Sequence, residues 1–264
     1  MTDETPAPRN IPALLSALYT EKRSCTVLVA GTPGGAIHVR DGLVVGVETP
    51  GAPGVEVLLL KSHRVTEDDW AAVRAAGTDP ARLARELVAQ GLLGAAELEI
   101  IGQAALFDAA FALALTSPDG WEVAAARPLL ETGAAVPPAR LVTENTRRVR
   151  LLANERGATA RFARDRLAPA PAARDPRQTA RLSPRHRTVL TAADGRRTPR
   201  DIAFTLGRGL FAVMLDLRDL LAQGLLQPPS GTAAARPSTA LRTPPHPSTT
   251  PSQPSATPLP RRKR

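Results

Sequence analysis

The stretch Gly35 to Glu48, Gly-Ala-Ile-His-Val-Arg-Asp-Gly-Leu-Val-Val-Gly-Val-Glu, predicts a β-hairpin. Ile37 and Val39 alternate with other side chains, as a strand with one buried face requires. Asp41-Gly42 fits a tight turn, because Asp and Gly tolerate the positive φ angles of a two-residue hairpin turn. The apolar run Cys25 to Ala30 predicts a preceding strand, so we expect a small antiparallel meander.

Helices are predicted around this meander. Pro12 suits the first turn of a helix over Ile11 to Tyr19, and Asp79-Pro80 places a capping residue before a first-turn proline. Further predicted elements are helices over Val55 to Lys61, from Glu67 behind a Thr66 cap, and over Ala95 to Leu115, with a strand over Trp121 to Ala125. The predicted fold class is therefore α+β, a small antiparallel β-meander packed with helices.

The second half of the chain has a different composition. An α+β domain is predicted over 8–132, a basic connecting helix within 141–166, and a proline-containing linker over 167–182. Residues 183–227 predict a small helical module that ends in an amphipathic helix over Leu210 to Gln223. Residues 228–264 hold ten prolines, no aromatic residue and no acid, so they predict a disordered basic tail.

Charge is distributed unevenly along the chain, which has a formal net charge of +9. Residues 1–140 carry 11 basic and 17 acidic side chains, whereas residues 141–230 carry 17 basic and 8 acidic ones. Such asymmetry favours an anionic partner for the second half, although much of the arginine could reflect biased composition. The candidate contacts to a protein or nucleic-acid partner are Arg147, Arg148, Arg150, Arg196, Arg197, Arg200, Arg208 and Arg218.

Residues 183–226 have a helix-turn-helix pattern, with a turn at Gly207-Arg208-Gly209. In DNA-binding proteins of this type, the last helix enters the major groove. Here that helix is expected to present Asp216, Arg218, Asp219 and Gln223 on its outer side, and two carboxylates facing phosphates would repel them. A protein-packing role is therefore favoured over base-specific DNA binding, which stays the alternative.

Motifs for catalysis, cofactors or metals are not evident. Gly207 to Ala212 matches G-x-G-x-x-A, but a helix precedes it where a dinucleotide site needs a strand. The single cysteine, Cys25, excludes an intramolecular disulfide. None of the four histidines has the spacing of a metal ligand pair, and His38 is expected on the exposed face of its strand. No cofactor and no metal are predicted, and a dispersed Ser-His-Asp site remains a minor alternative.

The location of the protein is predicted from its apolar segments. Met1 to Asn10 lacks the apolar core of a signal peptide, and Ala104 to Leu115 is too short to span a bilayer. These features predict a protein without a membrane span in a reducing compartment, the cytoplasm.

The run Gly35 to Glu48 resembles the hairpin of the bacterial PATAN family, also called the DUF4388 domain. The resemblance includes the Arg40-Asp41-Gly42 turn and extends over roughly residues 8–130. Leu182 to Leu226 is similar to a winged-helix-like module that often follows such domains, with Asp194-Gly195, Thr198-Pro199 and Ile202 as matching residues. The resemblance implies a non-enzymatic adaptor or regulator in bacterial signalling that acts through protein–protein interaction. The helical module would bind a second partner or self-associate.

Overall fold

A computed structural model describes residues 10–228 of the chain, except 76, 78, 126, 127, 129 and 153–155. The predicted disordered tail lies outside the described residues from position 229 onward.

The first half is organised around a four-stranded antiparallel sheet with the order β3-β2-β1-β4. Its strands are β1 (Cys25–Ala30), β2 (Gly35–Arg40), β3 (Leu43–Glu48) and β4 (Gly120–Ala124). The predicted turn is confirmed, because Asp41 and Gly42 both have positive φ angles, 51° and 81°. The later strand β4 returns to pair with β1, with Trp121 opposite Val29.

Helices cover this sheet and extend from it. They are α1 (Ile11–Thr20), α2 (Val55–Lys61), α3 (Glu67–Ala75), α4 (Pro80–Ala89) and α5 (Ala95–Ala114). Asn10 caps α1 by accepting from the backbone N–H of Ala13, and Asp79 caps α4 in the same way. Val27 and Ile37 of the sheet pack in one cluster with Leu15 of α1 and Phe107 of α5. The α+β fold class predicted from the sequence is thus confirmed.

The second half is helical. It consists of α6 (Pro138–Leu152), α7 (Arg156–Phe162), α8 (Pro176–Thr179), α9 (Pro184–Ala192), α10 (Pro199–Leu206) and α11 (Leu210–Ala222). Two short strands, β5 (Ala168–Pro169) and β6 (Leu226–Gln227), pair in antiparallel fashion. No helix among the residues that the structure describes is both long and apolar enough to cross a membrane.

Residues 167–182 differ from a free linker. They contain β5, a 3-10 helix over Pro171–Arg174, and α8. Leu167, Ala170 and Leu182 are buried in the hydrophobic core of the helical half. The few apolar residues of this segment are therefore placed at core positions, which composition averaged over the segment does not reveal.

One hydrophobic core crosses the predicted domain boundary. Phe111 of α5 and Leu115, which directly follows this helix, are buried together with Leu152 of α6 and with apolar side chains of α9, α10 and α11. The rings of Phe111 and Phe211 meet edge to face with their centroids 5.6 Å apart. The helical half therefore packs directly on the last turns of α5.

His38 is buried, so its predicted position on an exposed strand face was wrong. Only 3% of the residue is exposed, and its Nδ1 lies 2.9 Å from the hydroxyl of Thr26 on the neighbouring strand. Gly46 of β3 lies opposite His38 of β2, and Pro128 lies against Gly46. Pro128, after β4, thus covers part of this second face of the sheet, which the alternating strand pattern alone left open to solvent.

Candidate functional site

The eight arginines predicted to contact a partner separate by what surrounds them. Arg148 and Arg208 point into the protein and pair with buried carboxylates. Arg147 and Arg218 are partly exposed but bind acids on their own helices. The remaining four are exposed, one on α6 and three around the start of α10: Arg150, Arg196, Arg197 and Arg200.

Arg148 is a packing residue, so its prediction as a partner contact was wrong. Its Nη1 lies 2.5 Å from Oδ1 of Asp108 on α5, and its Nε donates to Glu144 over 2.8 Å. The guanidinium also lies 4.8 Å from the ring centroid of Phe211 on α11. Only 11% of this side chain is exposed. Arg148 lies on a basic helix, but its side chain points inward because it pairs with Asp108, 40 positions earlier in the chain.

Asp108 connects α5 to the start of α11. Burial raises the pKa of this carboxyl, whereas the Arg148 charge and the backbone N–H groups of Phe211 and Leu210 lower it. A Cβ atom at Gly209 would overlap the Asp108 carboxylate, and one at Gly207 would overlap Lys61 of α2. Gly207 also has a φ of 59°, in the left-handed region. The G-x-G turn is therefore explained by close packing between the two halves.

Arg208 and Asp216 form a second inward-facing pair. Arg208 donates from Nη2 to Oδ2 of Asp216 over 2.7 Å, and Arg185 Nε lies 3.3 Å from Oδ1. Asp216 is 2% exposed. The expected outward position of Asp216 was therefore wrong, whereas Arg208 is paired with this acid and keeps 27% of its side chain exposed. The only sequence signal for this pair was an acidic residue, Asp216, among the apolar positions of α11.

Glu144 holds Arg147 on the surface of α6. Arg147 donates from Nε and Nη2 to the two carboxylate oxygens, each over 2.7 Å. Arg218 donates to Asp219 over 2.8 Å and also to the backbone carbonyl of Leu151 at the end of α6. Both guanidinium groups remain partly exposed, but their charges are shared with acids of this chain.

The last helix, α11, is buried along one face. It packs against α9 and α10 on one side of the module and against α6, α5 and β6 elsewhere. Seven of its residues are buried: Leu210, Phe211, Val213, Met214, Asp216, Leu217 and Leu220. A helix that reads DNA must present a free side to the major groove. The outer side of α11 presents Ala212, Arg218, Asp219 and Ala222. Its one arginine is already bound to Asp219 and to Leu151 of α6, so this side offers few donors to base edges.

One of the exposed arginines, Arg197, lines a shallow groove between α9 and α10. The groove has a volume of about 480 Å³. Its lining residues are Arg187, Thr188, Thr191, Ala192, Arg197, Thr205 and Leu206. Of the predicted contacts, Arg197 lies in this lining, and Arg196 and Arg200 flank it in the chain. Arg187 was missed, although its place opposite the buried Val189 and Leu190 in the α9 sequence indicates an outward side chain.

Nearby acids are engaged by backbone groups. Asp194 accepts from the N–H groups of Arg196 and Arg197, which lower its pKa. Asp201 accepts from the N–H of Thr198 over 2.9 Å in a capping box, and this hydrogen bond lowers its pKa as well. Arg197 also lies 3.6 Å from Asp194. The groove therefore keeps a basic rim at neutral pH.

No family model, curated protein or solved structure matches the chain. The likeness of Gly35 to Glu48 to the PATAN family therefore stays a prediction. The surfaces and polar clusters of this chain are the observations that bear on its function.

Ser183, His186 and Asp216 have the residue types of a Ser-His-Asp site and lie in one line. Ser183 Oγ lies 3.1 Å from Nδ1 of His186, whose Nε2 is 3.4 Å from Asp216. The Ser183 hydroxyl also accepts from the N–H of His186 as the cap of α9, and Asp216 is bound by Arg208. This line of residues thus stabilises the start of α9. No group of three or more potential metal ligands occurs within the described ranges.

The Glu144 cluster predicts a specific acid sensitivity. Hydrogen bonds from Arg147, and then from Arg148, lower the pKa of Glu144 from 4.5 to about 2. The unfolded chain takes up a proton on this group at higher pH than the folded protein does. The resulting stabilisation is therefore complete above about pH 4.5 and is lost as the pH falls towards 2.

We expect Glu144→Gln to remove this part of the acid dependence. Urea unfolding midpoints should fall less between about pH 6 and about pH 3 in the variant than in the original protein. Glu122→Gln, at an exposed position of β4, is the matched control and should keep the original pH dependence. Equal slopes for Glu144→Gln and the original protein would show that Glu144 has an unperturbed pKa.

Proposed function

We propose that this chain is a non-enzymatic regulatory adaptor of a bacterial signalling system, which acts in the cytoplasm by binding another protein. The observation that supports this most is the outer side of α11, where Arg218 is bound to Asp219 and to the carbonyl of Leu151 on α6. The helix that a DNA-binding regulator would use therefore presents no unpaired basic side chain. Binding is left to the outer surfaces of the protein.

The polar clusters also favour an adaptor over an enzyme. Asp108 with Arg148 joins α5 to α6, and Asp216 with Arg208 fixes the turn before α11. These buried charges serve contacts between helices. An active site would instead need titratable groups that converge on a cleft with free acid, base or nucleophile functions.

The alternative is a DNA-binding transcriptional regulator, and the exposed arginines around α10 favour it. Arg196, Arg197 and Arg200 could each contact a phosphate without help from α11. Such contacts would hold DNA without reading its sequence. The alternative therefore predicts binding dominated by counterion release, with a steep salt dependence.

Duplex DNA binding by the full chain distinguishes the two functions. It should be measured at about 50 mM and about 200 mM salt, for the original protein and for Arg196→Ala/Arg197→Ala/Arg200→Ala. The matched control removes three exposed arginines of the first half: Arg23→Ala/Arg74→Ala/Arg85→Ala. An adaptor should show only weak binding that disappears at the higher salt and responds equally to both variants.

The opposite result would contradict the adaptor. Tight binding that prefers one duplex sequence, falls steeply with salt and is lost only in the Arg196/Arg197/Arg200 variant would establish a DNA-binding regulator. The positive counterpart is a protein partner, crosslinked in cells and then purified, whose affinity for the chain survives about 200 mM salt.

A further inference from the structure

We propose that the groove between α9 and α10 is the docking surface of the adaptor, and that it binds an extended acidic segment of a partner protein. This inference rests on the proposed function and names the surface and the chemistry of the partner. Its starting observation is that Arg187 and Arg197 line one groove together with Ala192 and Leu206.

The side-chain donors that the groove can offer a ligand are the guanidinium groups of Arg187 and Arg197, although Arg197 also donates from Nη1 to the carbonyl of Ala192 over a long 3.4 Å. The hydroxyl of Thr188 donates to the carbonyl of Pro184, and that of Thr191 to the carbonyl of Arg187. Thr205 likewise donates to the carbonyl of Asp201 over 2.8 Å. These threonines can therefore offer only lone pairs to a ligand. The hydrogen-bond donors for a ligand therefore come from arginine, whose planar guanidinium group can bind a carboxylate through two parallel hydrogen bonds.

The present partner of Arg197 can be replaced by a ligand. Its ion pair with Asp194 spans 3.6 Å between side chains that are 43% and 37% exposed. Exposed pairs of this kind contribute little to stability. Asp194 keeps the two backbone N–H groups that it accepts from, so Arg197 can turn to an incoming carboxylate at small cost.

The lining favours an acidic peptide over nucleic acid. Single-stranded nucleic acid binds through bases stacked on aromatic rings, and the groove lining contains no aromatic side chain. Sequence-specific duplex binding would need α11, whose one arginine, Arg218, is bound to Asp219. Ala192 and Leu206 add apolar surface to the same lining, which suits the small aliphatic side chains of a peptide. Neighbouring carboxylates of the peptide would pair with the two arginines.

The test uses the full chain and a defined probe. The probe is a fluorescein-labelled 12-residue peptide of alternating Glu and Ala, and binding is followed by fluorescence anisotropy. Arg187→Glu/Arg197→Glu should weaken binding by about tenfold or more, because two charge-assisted contacts become repulsive. Arg187→Gln/Arg197→Gln should show a smaller loss. Arg23→Glu/Arg85→Glu changes the net charge equally on other exposed positions and should stay within about twofold of the original.

A labelled 16-base-pair duplex of scrambled sequence is titrated in parallel. Equal peptide affinity in the groove and control variants, or no peptide binding at all, would overturn the docking surface while leaving the adaptor function intact. Duplex binding that is tighter than peptide binding and lost only in the groove variants would overturn both proposals. Unchanged circular dichroism of every variant ensures that the comparison concerns binding and not folding, and all four positions are exposed.

Discussion

Replacing Arg148 by Met is expected to lower the free energy of unfolding by about 3–5 kcal/mol. The methionine keeps most of the apolar stem but removes the guanidinium that faces Asp108, whose side chain is only 8% exposed. A carboxylate left in this position keeps the backbone N–H groups of Phe211 and Leu210 but has little access to water. The loss therefore includes the cost of an uncompensated buried charge, which exceeds the value of the ion pair itself.

Urea unfolding measures this effect, and Arg147→Met is its matched control. Arg147 lies one position earlier on α6, binds the same Glu144 and has a side chain that is 56% exposed. Its replacement should cost less than about 1 kcal/mol, as for other surface ion pairs. Equal losses in the two variants would mean that Arg148 contributes only through Glu144, and that the pair with Asp108 is not desolvated.

The pH dependence gives a second, independent readout of the same variant. Burial already raises the pKa of Asp108 above its usual 3.8, and the Arg148 charge is the largest influence that opposes this rise. Without Arg148, the folded state should favour the protonated form still more. Because a raised carboxyl pKa favours folding at low pH and loses that advantage as the pH rises, Arg148→Met should be more destabilising near pH 7 than near pH 4.

Local sequence patterns were sufficient for the elements of the fold. The positive φ angles of Asp41 and Gly42, and the caps at Asn10 and Asp79, depend on residues within a few positions of one another. The apolar face of α11 was also predicted correctly in large part, because its period of 3.6 residues is a property of the helix alone.

The contacts between distant segments could not be predicted in this way. Arg148 looked like an outward basic side chain until Asp108 supplied its partner from another helix. His38 looked exposed until Pro128, after β4, covered part of its face of the sheet. Each error concerns a polar side chain buried by a partner far away in sequence. Because the chain is rich in arginine, its sequence does not distinguish a buried arginine from an exposed one.

The shared core leads to the second large prediction, that Phe111→Ala destabilises both halves of the protein together. Phe111 is fully buried at the end of α5 and meets Phe211 of α11 edge to face. Removing a buried phenylalanine side chain costs about 3–5 kcal/mol through lost transfer energy and the remaining cavity. Because Leu152 and Met214 belong to the same cluster, the cavity weakens the packing of α6 and α11 as well as α5.

Hydrogen exchange can show whether this loss is shared. The protection of amides in β1 to β3 and in α9 to α11 should fall by the same free energy in Phe111→Ala, as in one cooperative unit. Phe107→Ala, in the cluster beneath the sheet, is the control for a cavity on the same helix, and it should also lower protection in both halves. If Phe111→Ala instead exposed α9 to α11 while the sheet kept its full protection, the two halves would be separate folding units. In that case α11 could be released for binding, and the case against DNA recognition by this helix would no longer hold.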